Sequence, residues 1–122
     1  MSQYVYSVTL FDGLTAATGA LAAGGTATSD IITVNSMRPL GQFASQLIVS
    51  GNGTVKSELW ISINETEYVL WDTLFEGKTS ANAGTPGIID IHSVAICMKF
   101  KVIITETGGA SGATVKQWLG VQ

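Results

Sequence analysis

The stretch GATVKQWLGVQ, residues 112–122, alternates between apolar and polar side chains almost to its last residue. Val115 and Leu119 fall on one face, and the residues between them fall on the other. A period of two is typical of a β-strand with one buried face. The run AICMKFKVIITE (95–106) alternates in the same way, and the turn residues TGGASG (107–112) separate the two runs. Together they predict a closing β-hairpin.

The same pattern recurs upstream and predicts about eight strands, with no helix. The turn at Asn52-Gly53 predicts a second tight hairpin, because this dipeptide adopts positive φ angles at low cost. Eight strands in 122 residues predict an all-β fold, an antiparallel β-sandwich that is most simply a jelly roll. An immunoglobulin-like sandwich is the alternative, although the paired cysteines of that fold are missing. The predicted strands are 3–11, 30–34, 42–50, 54–64, 66–75, 88–93, 94–106 and 113–121.

The composition of the chain is unusually poor in charge. Asp, Glu, Lys and Arg make up 12% of the residues, whereas about 25% is typical of soluble domains. A chain of many strands with so little charge has few means of protecting its edges, which favours burial of its surface against other subunits. Exposed strand faces rich in Thr and Ser are the simpler alternative. With a net charge of −3 and no basic run, neither nucleic acid nor an anionic membrane is predicted as a partner.

The sequence predicts a single domain, 1–122, that folds in a reducing compartment. The N-terminal residues lack the pattern of a signal peptide, and no apolar run approaches the ~20 residues that span a membrane. The single cysteine, Cys97, is predicted to be a small buried side chain. Residues 12–29 are almost entirely Ala, Gly, Thr and Ser, which predicts an arm or a long surface loop that either contacts a partner or only connects two strands.

No combination of residues in the sequence predicts catalysis. His92 is the only histidine, and Asp90 lies two residues away, on the same face of a predicted strand. This pair is the sole basis for a hydrolase hypothesis, and no nucleophile motif accompanies it. Glu65 and Glu67 could contribute to a calcium site but are typical of a solvated strand end. We therefore predict that the protein is not an enzyme and that it binds neither a metal nor a cofactor.

Three tryptophans are the most informative side chains outside the predicted core. Trp60 and Trp118 lie on the less apolar faces of their strands, and Trp71 lies beside an aspartate. Such rings can anchor a protein–protein contact, stack on sugar rings or pack under a neighbouring segment. These three uses remain open at the level of sequence.

Three segments of the chain resemble small structural proteins encoded in the genomes of tailed bacteriophages and prophages. Their shared motifs match Ser29–Ile31, Val49–Glu58 and Thr105–Leu119, and the resemblance extends over about three-quarters of the chain. The residues Ile63-Asn64-Glu65-Thr66 depart from it, because such chains often have a glycine-containing turn there. The shared motifs are turns and strand faces, not catalytic residues.

The resemblance implies a virion protein, most simply a decoration protein that binds the outside of the phage head and stabilises it. A carbohydrate- or receptor-binding module of a tail or fibre is the alternative. The implied partners are the major capsid protein or other virion proteins, together with further copies of the chain, with a trimer favoured. The residues predicted to make contacts are Leu14 and Leu21 in the 12–29 segment, and Trp60, Trp71 and Trp118 on the strands.

Overall fold

The computed structural model describes residues 6–13, 20–33, 43–92, 99–110 and 112–121, and it contains ten strands and one short helix in these ranges. The elements are β1 (Tyr6–Asp12), β2 (Ala20–Leu21), β3 (Thr26–Thr28), β4 (Ile32–Thr33), β5 (Phe43–Gly51), β6 (Val55–Ser62), β7 (Val69–Lys78), α1 (Ser80–Ala83), β8 (Ile88–His92), β9 (Lys99–Glu106) and β10 (Ala113–Val121).

The strands form two antiparallel sheets that pack face to face. Sheet A has the order β1-β10-β5-β8, and sheet B has the order β3-β9-β6-β7. Strand β5 occupies one flank of β10 along its whole length, so β1 and β2 share the other flank. In the same way, β3 and β4 share one flank of β9, and the ten strands fill eight positions. This arrangement confirms the predicted all-β antiparallel sandwich and has the strand order of a jelly roll.

Both predicted hairpins are wrong as strand pairings. Strand β5 pairs within sheet A and β6 within sheet B, so the turn at Asn52-Gly53 crosses between the sheets. The turn at 107–112 crosses in the same way from β9 to β10. In each case the two flanking strands bury their apolar faces against each other across the core, which a hairpin in one layer would not allow. Among the consecutive strands that the structure describes, only β6 and β7 pair as a hairpin.

The core fills the space between the two sheets with the inward-facing side chains of the strands. Their burial alternates along β5, β6, β9 and β10, as expected for strands with one face in the core. Strand β1 differs from the prediction, because Leu10 and Phe11 are both buried, at 6% and 1% exposure. A register shift between Thr9 and Phe11 is the reason, since a bulge turns two successive side chains to the same face.

Two segments predicted as loops carry secondary structure. Residues 20–21 pair with β10 and residues 26–28 pair with β9, so the described part of the 12–29 segment belongs to the two sheets. Residues 14–19 lie outside the described ranges, as do Cys97 and the start of the predicted strand 94–106. The polar stretch 76–87 contains the end of β7 and the single helical turn α1.

A buried polar chain connects the two sheets through Gln117. The Ser57 hydroxyl of β6 donates to Gln117 Oε1 at 2.9 Å, and Gln117 Nε2 donates to the Ser45 hydroxyl at 3.0 Å. Ser45 in turn donates to the carbonyl of Trp118 at 3.0 Å. All three side chains are fully buried, so each of these hydrogen bonds satisfies a group that water cannot reach.

We expect the substitution Gln117→Ala to lower the free energy of unfolding by about 1–3 kcal/mol, because it removes the acceptor of the buried Ser57 hydroxyl and the donor to the buried Ser45 hydroxyl. Urea titration followed by circular dichroism measures this change. Gln46→Ala is the matched control, since Gln46 donates to the carbonyl of Pro86 at the surface, and it should change stability by less than about 0.5 kcal/mol. Equal losses in the two variants would contradict the role assigned to Gln117.

Candidate interaction surfaces

A buried carboxylate holds together three crossings between the sheets at one end of the sandwich. Glu106 Oε1 accepts the N–H groups of Gly24 at 3.0 Å and Gly109 at 2.7 Å. Glu106 Oε2 accepts those of Thr54 at 2.9 Å and Gly108 at 2.8 Å. These amides belong to the β2–β3, β5–β6 and β9–β10 turns, each of which carries the chain between sheets A and B. We call this carboxylate and its four donors the Glu106 cluster.

The pKa of Glu106 falls from 4.5 to about 2 within this cluster. The N–H group of Thr54 contributes most to the lowering, followed by that of Gly24, because hydrogen bonds to the ionised form favour it. Burial opposes this effect, and the amides of Gly108 and Gly109 add to it. In the sequence, nothing in the strand pattern separates Glu106 from the other acidic residues of the chain. The adjoining Gly108-Gly109 pair was the available signal, since successive backbone amides can surround an anion.

The only histidine lies between two aspartates where β7 and β8 come together. His92 Nδ1 is 3.3 Å from Asp72 Oδ2, and Nε2 is 3.9 Å from Asp90 Oδ2. The imidazole stacks on Phe43 and meets Phe75 edge to face. Within the described ranges, Nε2 is buried and has no hydrogen-bond partner. The ring therefore packs between aromatic side chains and links the edge strands of the two sheets.

The acidic residues that suggested calcium lie in the β6–β7 turn. Glu67 accepts a hydrogen bond from the Asn64 amide at 3.0 Å, and Asn64 in turn caps the backbone N–H groups of Thr66 and Glu67. Glu65 adopts a positive φ angle of 70° at the tip of the turn. Across the described residues, no three His, Cys, Asp or Glu side chains are grouped closely enough to hold a metal ion.

Exposed apolar side chains are concentrated on β7 and β8, which are edge strands of the two sheets. Five of the seven large exposed apolar side chains in the described ranges lie there, and we call these five the β7–β8 edge. They are Val69, Leu70, Trp71, Ile89 and Ile91. A shallow groove of about 480 Å³ runs between the two strands. Edge strands with exposed apolar side chains are sites where a further polypeptide docks readily.

The residues predicted to make contacts differ in their location and burial in the structure. Trp71 is 53% exposed on β7 and belongs to the β7–β8 edge, whereas Leu21 is 4% exposed and packs in the core of the chain. Leu14 lies outside the described ranges. Trp60 and Trp118 are half-buried on the outward faces of β6 and β10. Because these strands belong to different sheets, the two rings lie on opposite sides of the sandwich and cannot form one binding platform.

On the outward face of sheet B, two hydrogen-bond donors around Trp60 have no acceptor among the described residues. Trp60 is level with Lys101 of β9 and Leu70 of β7 in the sheet register. The Lys101 ammonium lies 4.6 Å from the centre of the Tyr68 ring. The Trp60 Nε1 and Tyr68 hydroxyl groups are buried and have no hydrogen-bond partner in the described part of the chain. We call this group, together with the neighbouring Lys99, the Lys101 face.

Comparison with solved structures places the fold among known β-sandwiches. The VP2 protein of infectious bursal disease virus, in a subviral particle, superposes on 97% of this chain and 32% of its own, with a TM-score of 0.60 and 14% sequence identity. A protein of T=1 particles derived from infectious bursal virus gives the same TM-score and identity over 97% of this chain and 31% of its own. A protein from Sulfurospirillum deleyianum superposes over 99% of both chains, with a TM-score of 0.51 and 8% identity.

These similarities establish the fold. The chain spans about a third of the length of the VP2 proteins that it matches. No protein-family profile matches the sequence, and no curated protein is similar to it. None of the helical segments in the described ranges is long and apolar enough to cross a membrane.

Proposed function

We propose that this protein is a non-catalytic structural component of a virus particle, which acts by binding neighbouring subunits. The observation that carries the proposal is the jelly roll, because 97% of the chain superposes on a viral protein that forms part of a particle. The exposed apolar side chains of the β7–β8 edge support the proposal, since they provide surface for contacts with other subunits.

The more specific role is that of a decoration protein on the outside of a tailed-phage head. The resemblance of the sequence to phage structural proteins supports this role. Its partners are then the major capsid protein and further copies of the chain, with a trimer favoured and synthesis in the cytoplasm of the bacterial host. The motifs that carry the resemblance include Glu106, Gly108 and Gly109, which belong to the Glu106 cluster. These residues stabilise the fold, so the resemblance does not identify the surface that contacts the partners.

A decoration protein stabilises a shell through many weak contacts made at once. Each copy bridges neighbouring subunits, so that rupture of the shell breaks several contacts together. The low charge of the chain suits this role, because little charge has to be desolvated when neutral strand faces are buried.

We expect the protein to be found in purified particles. Particles prepared on a density gradient from a culture that carries the gene should contain the chain in a fixed ratio to the major capsid protein, as measured by quantitative mass spectrometry. Particles from a strain without the gene should release their nucleic acid at a lower temperature, as followed with an intercalating dye. Addition of the purified protein should restore the original temperature.

Two results would contradict the role of a decoration protein on the head. The first is the absence of the chain from particles whose other structural proteins are recovered in full. The second is recovery only in the tail fraction after heads and tails are separated, which would favour the receptor-binding alternative over a role on the head. A glycan array on the purified protein then tests that alternative, with Trp60→Ala and Trp118→Ala assayed separately because the two rings face opposite sides.

A further inference from the structure

The turn between β5 and β6 contains the only Asn-Gly pair in the chain, Asn52-Gly53. Asn52 is exposed, and its side chain forms no hydrogen bond with a described residue. The N–H group of Gly53 likewise has no acceptor in the described part of the chain. The side-chain amide of Asn52 and the backbone nitrogen that follows it are therefore adjacent, and no described hydrogen bond holds either group in place.

Two neighbouring groups of this kind react with each other without an enzyme. The Gly53 nitrogen attacks the side-chain amide carbon of Asn52, a C–N bond forms between them, and the bond from that carbon to the amide nitrogen breaks. The leaving nitrogen takes the N–H proton of Gly53 and departs as ammonia, which leaves a cyclic succinimide. Water then opens the ring at either carbonyl, to give aspartate or isoaspartate at position 52. Glycine favours the attack because it has no Cβ atom to crowd the nitrogen.

The other asparagines that the structure describes are held away from this reaction. Asn64 Oδ1 accepts backbone N–H groups, including that of Glu67 at 2.9 Å. Asn82 Oδ1 accepts the N–H group of Thr79 at 2.8 Å, and the N–H group after Asn82 donates to the Thr79 carbonyl at 2.8 Å. Each is followed by a residue with a Cβ atom, and Asn35 lies outside the described ranges. Within the described chain, only the β5–β6 turn combines a free amide with an unhindered nitrogen.

The ends of this turn are fixed on both sides. Gly51 pairs with Ala113 of β10 in sheet A, and the Thr54 N–H group donates to Glu106 Oε2 at 2.9 Å. The turn also packs directly on the Glu106 cluster, because a Cβ atom built on Gly53 would lie 3.2 Å from Glu106 Oε2. A change in the length of the backbone between these two anchors must therefore displace one of them.

We propose that Asn52 deamidates spontaneously in the folded chain and that the isoaspartate product loosens the Glu106 cluster. In isoaspartate the main chain passes through the former side chain, so one more carbon atom lies between the two anchors of the turn. The added length moves the Thr54 N–H group away from Glu106. The aspartate product keeps the original main chain and adds only a negative charge at an exposed position. The two products therefore differ in their effect on stability.

Incubation of the purified, folded chain at mildly alkaline pH tests the reaction. Ion-exchange chromatography should resolve acidic forms that accumulate as ammonia is released, and peptide mapping should place the conversion at Asn52. The rate in the folded chain should lie within about tenfold of the rate in concentrated urea, since an exposed turn needs no unfolding to react. Asn64 should convert far more slowly in the folded chain than in urea. Asn52→Ser, which lacks the amide, should form almost none of the acidic product.

The stability of the separated products tests the effect on the cluster. The isoaspartate form should unfold at a temperature lower by on the order of 5 °C, as measured by circular dichroism. The variant Asn52→Asp, used when freshly purified, carries the charge without the extra carbon and should unfold within about 2 °C of the wild-type chain. A folded chain that stays uniform while the urea-treated chain converts, or conversion mainly at another asparagine, overturns the reaction. Equal midpoints for the isoaspartate form and Asn52→Asp overturn the effect on the cluster.

Discussion

Glu106→Gln should lower the thermal midpoint of unfolding by on the order of 10 °C. Each carboxylate oxygen of Glu106 accepts two backbone N–H groups, and together they hold the three turns of the Glu106 cluster. A glutamine keeps one acceptor oxygen and presents an NH₂ group to the other two amides. Those amides then face a donor in a site that excludes water, so one or more of the turns must open.

The same substitution should flatten the dependence of stability on pH. The pKa of Glu106 is about 2 in the folded chain and 4.5 when the group is free of the cluster. Between these values the unfolded chain binds a proton that the folded chain does not, so stability falls as the pH falls. The contribution of Glu106 is fully present above pH 4.5 and is lost as the pH drops through about 2. The glutamine variant has no such group and should lose less stability across this interval.

Thermal unfolding followed by circular dichroism at pH 7, 4.5, 3 and 2 measures both effects on one instrument. Glu76→Gln is the control, because Glu76 is exposed on β7 and accepts no hydrogen bond from these turns. It should match the wild-type midpoint at pH 7. A Glu106→Gln chain that unfolds at the wild-type midpoint and keeps the wild-type slope between pH 4.5 and 2 would show that the cluster contributes nothing to stability.

Gly51→Ala should reduce the free energy of unfolding by more than about 3 kcal/mol. Gly51 ends β5 with a φ angle of 77°, a conformation that strains any residue with a Cβ atom. A Cβ atom there would also collide with the carbonyl oxygen of Gly112 in the neighbouring crossing. That oxygen belongs to the backbone, so the collision is relieved only by moving one crossing away from the other.

Gly77→Ala separates the two contributions. Gly77 has a similar φ angle of 67°, but a Cβ atom there would meet nothing within 4 Å. Gly77→Ala should lower the free energy of unfolding by only about 1–2 kcal/mol, because it adds the strain of the positive φ angle without a collision. Differential scanning calorimetry of the two variants gives the comparison directly. Equal midpoints for Gly51→Ala and Gly77→Ala would mean that the two crossings do not pack as closely as the structure describes.

These two predictions concern one end of the sandwich, and the proposed contacts concern another part of it. The Glu106 cluster and Gly51 fix how the chain passes between the sheets, whereas the β7–β8 edge and the Lys101 face lie along the strands. Substitutions at the two places should therefore have separate readouts. Loss of the cluster lowers stability, whereas substitutions at the exposed side chains of the β7–β8 edge should leave the chain folded.

Part of the candidate surface was predictable from the sequence, and part was not. The outward positions of Trp60 and Trp118 follow from alternation along their strands, and the structure places both rings half-buried on outward faces. Their separation onto opposite sides does not follow, because strand assignment to a sheet depends on distant pairings. Leu21 shows the same limit, since a leucine in a small-residue segment gives no local sign that it packs in the core.

Exposure of Ile89 and Ile91 required the tertiary structure. In the sequence they share one face of a strand, which is the usual pattern of burial. His92 packs against Phe43 and Phe75 on the inward side of β8, so Ile89 and Ile91 lie on the outward face of sheet A, which no further layer covers. Which face of a five-residue strand enters the core depends on its pairing with β5, and the alternation within the strand does not show it.

The sequence by itself determined that the chain is all-β, where most of its strands lie and which of their faces enter the core, because alternation is a local consequence of strand geometry. Only the tertiary structure decided that the turns at 52–53 and 107–112 cross between sheets, and that Glu106 holds them together. Pairing partners are chosen by burial of apolar faces between residues distant in sequence. Which strands pair therefore depends on all the strands at once, and a local sequence pattern does not determine it.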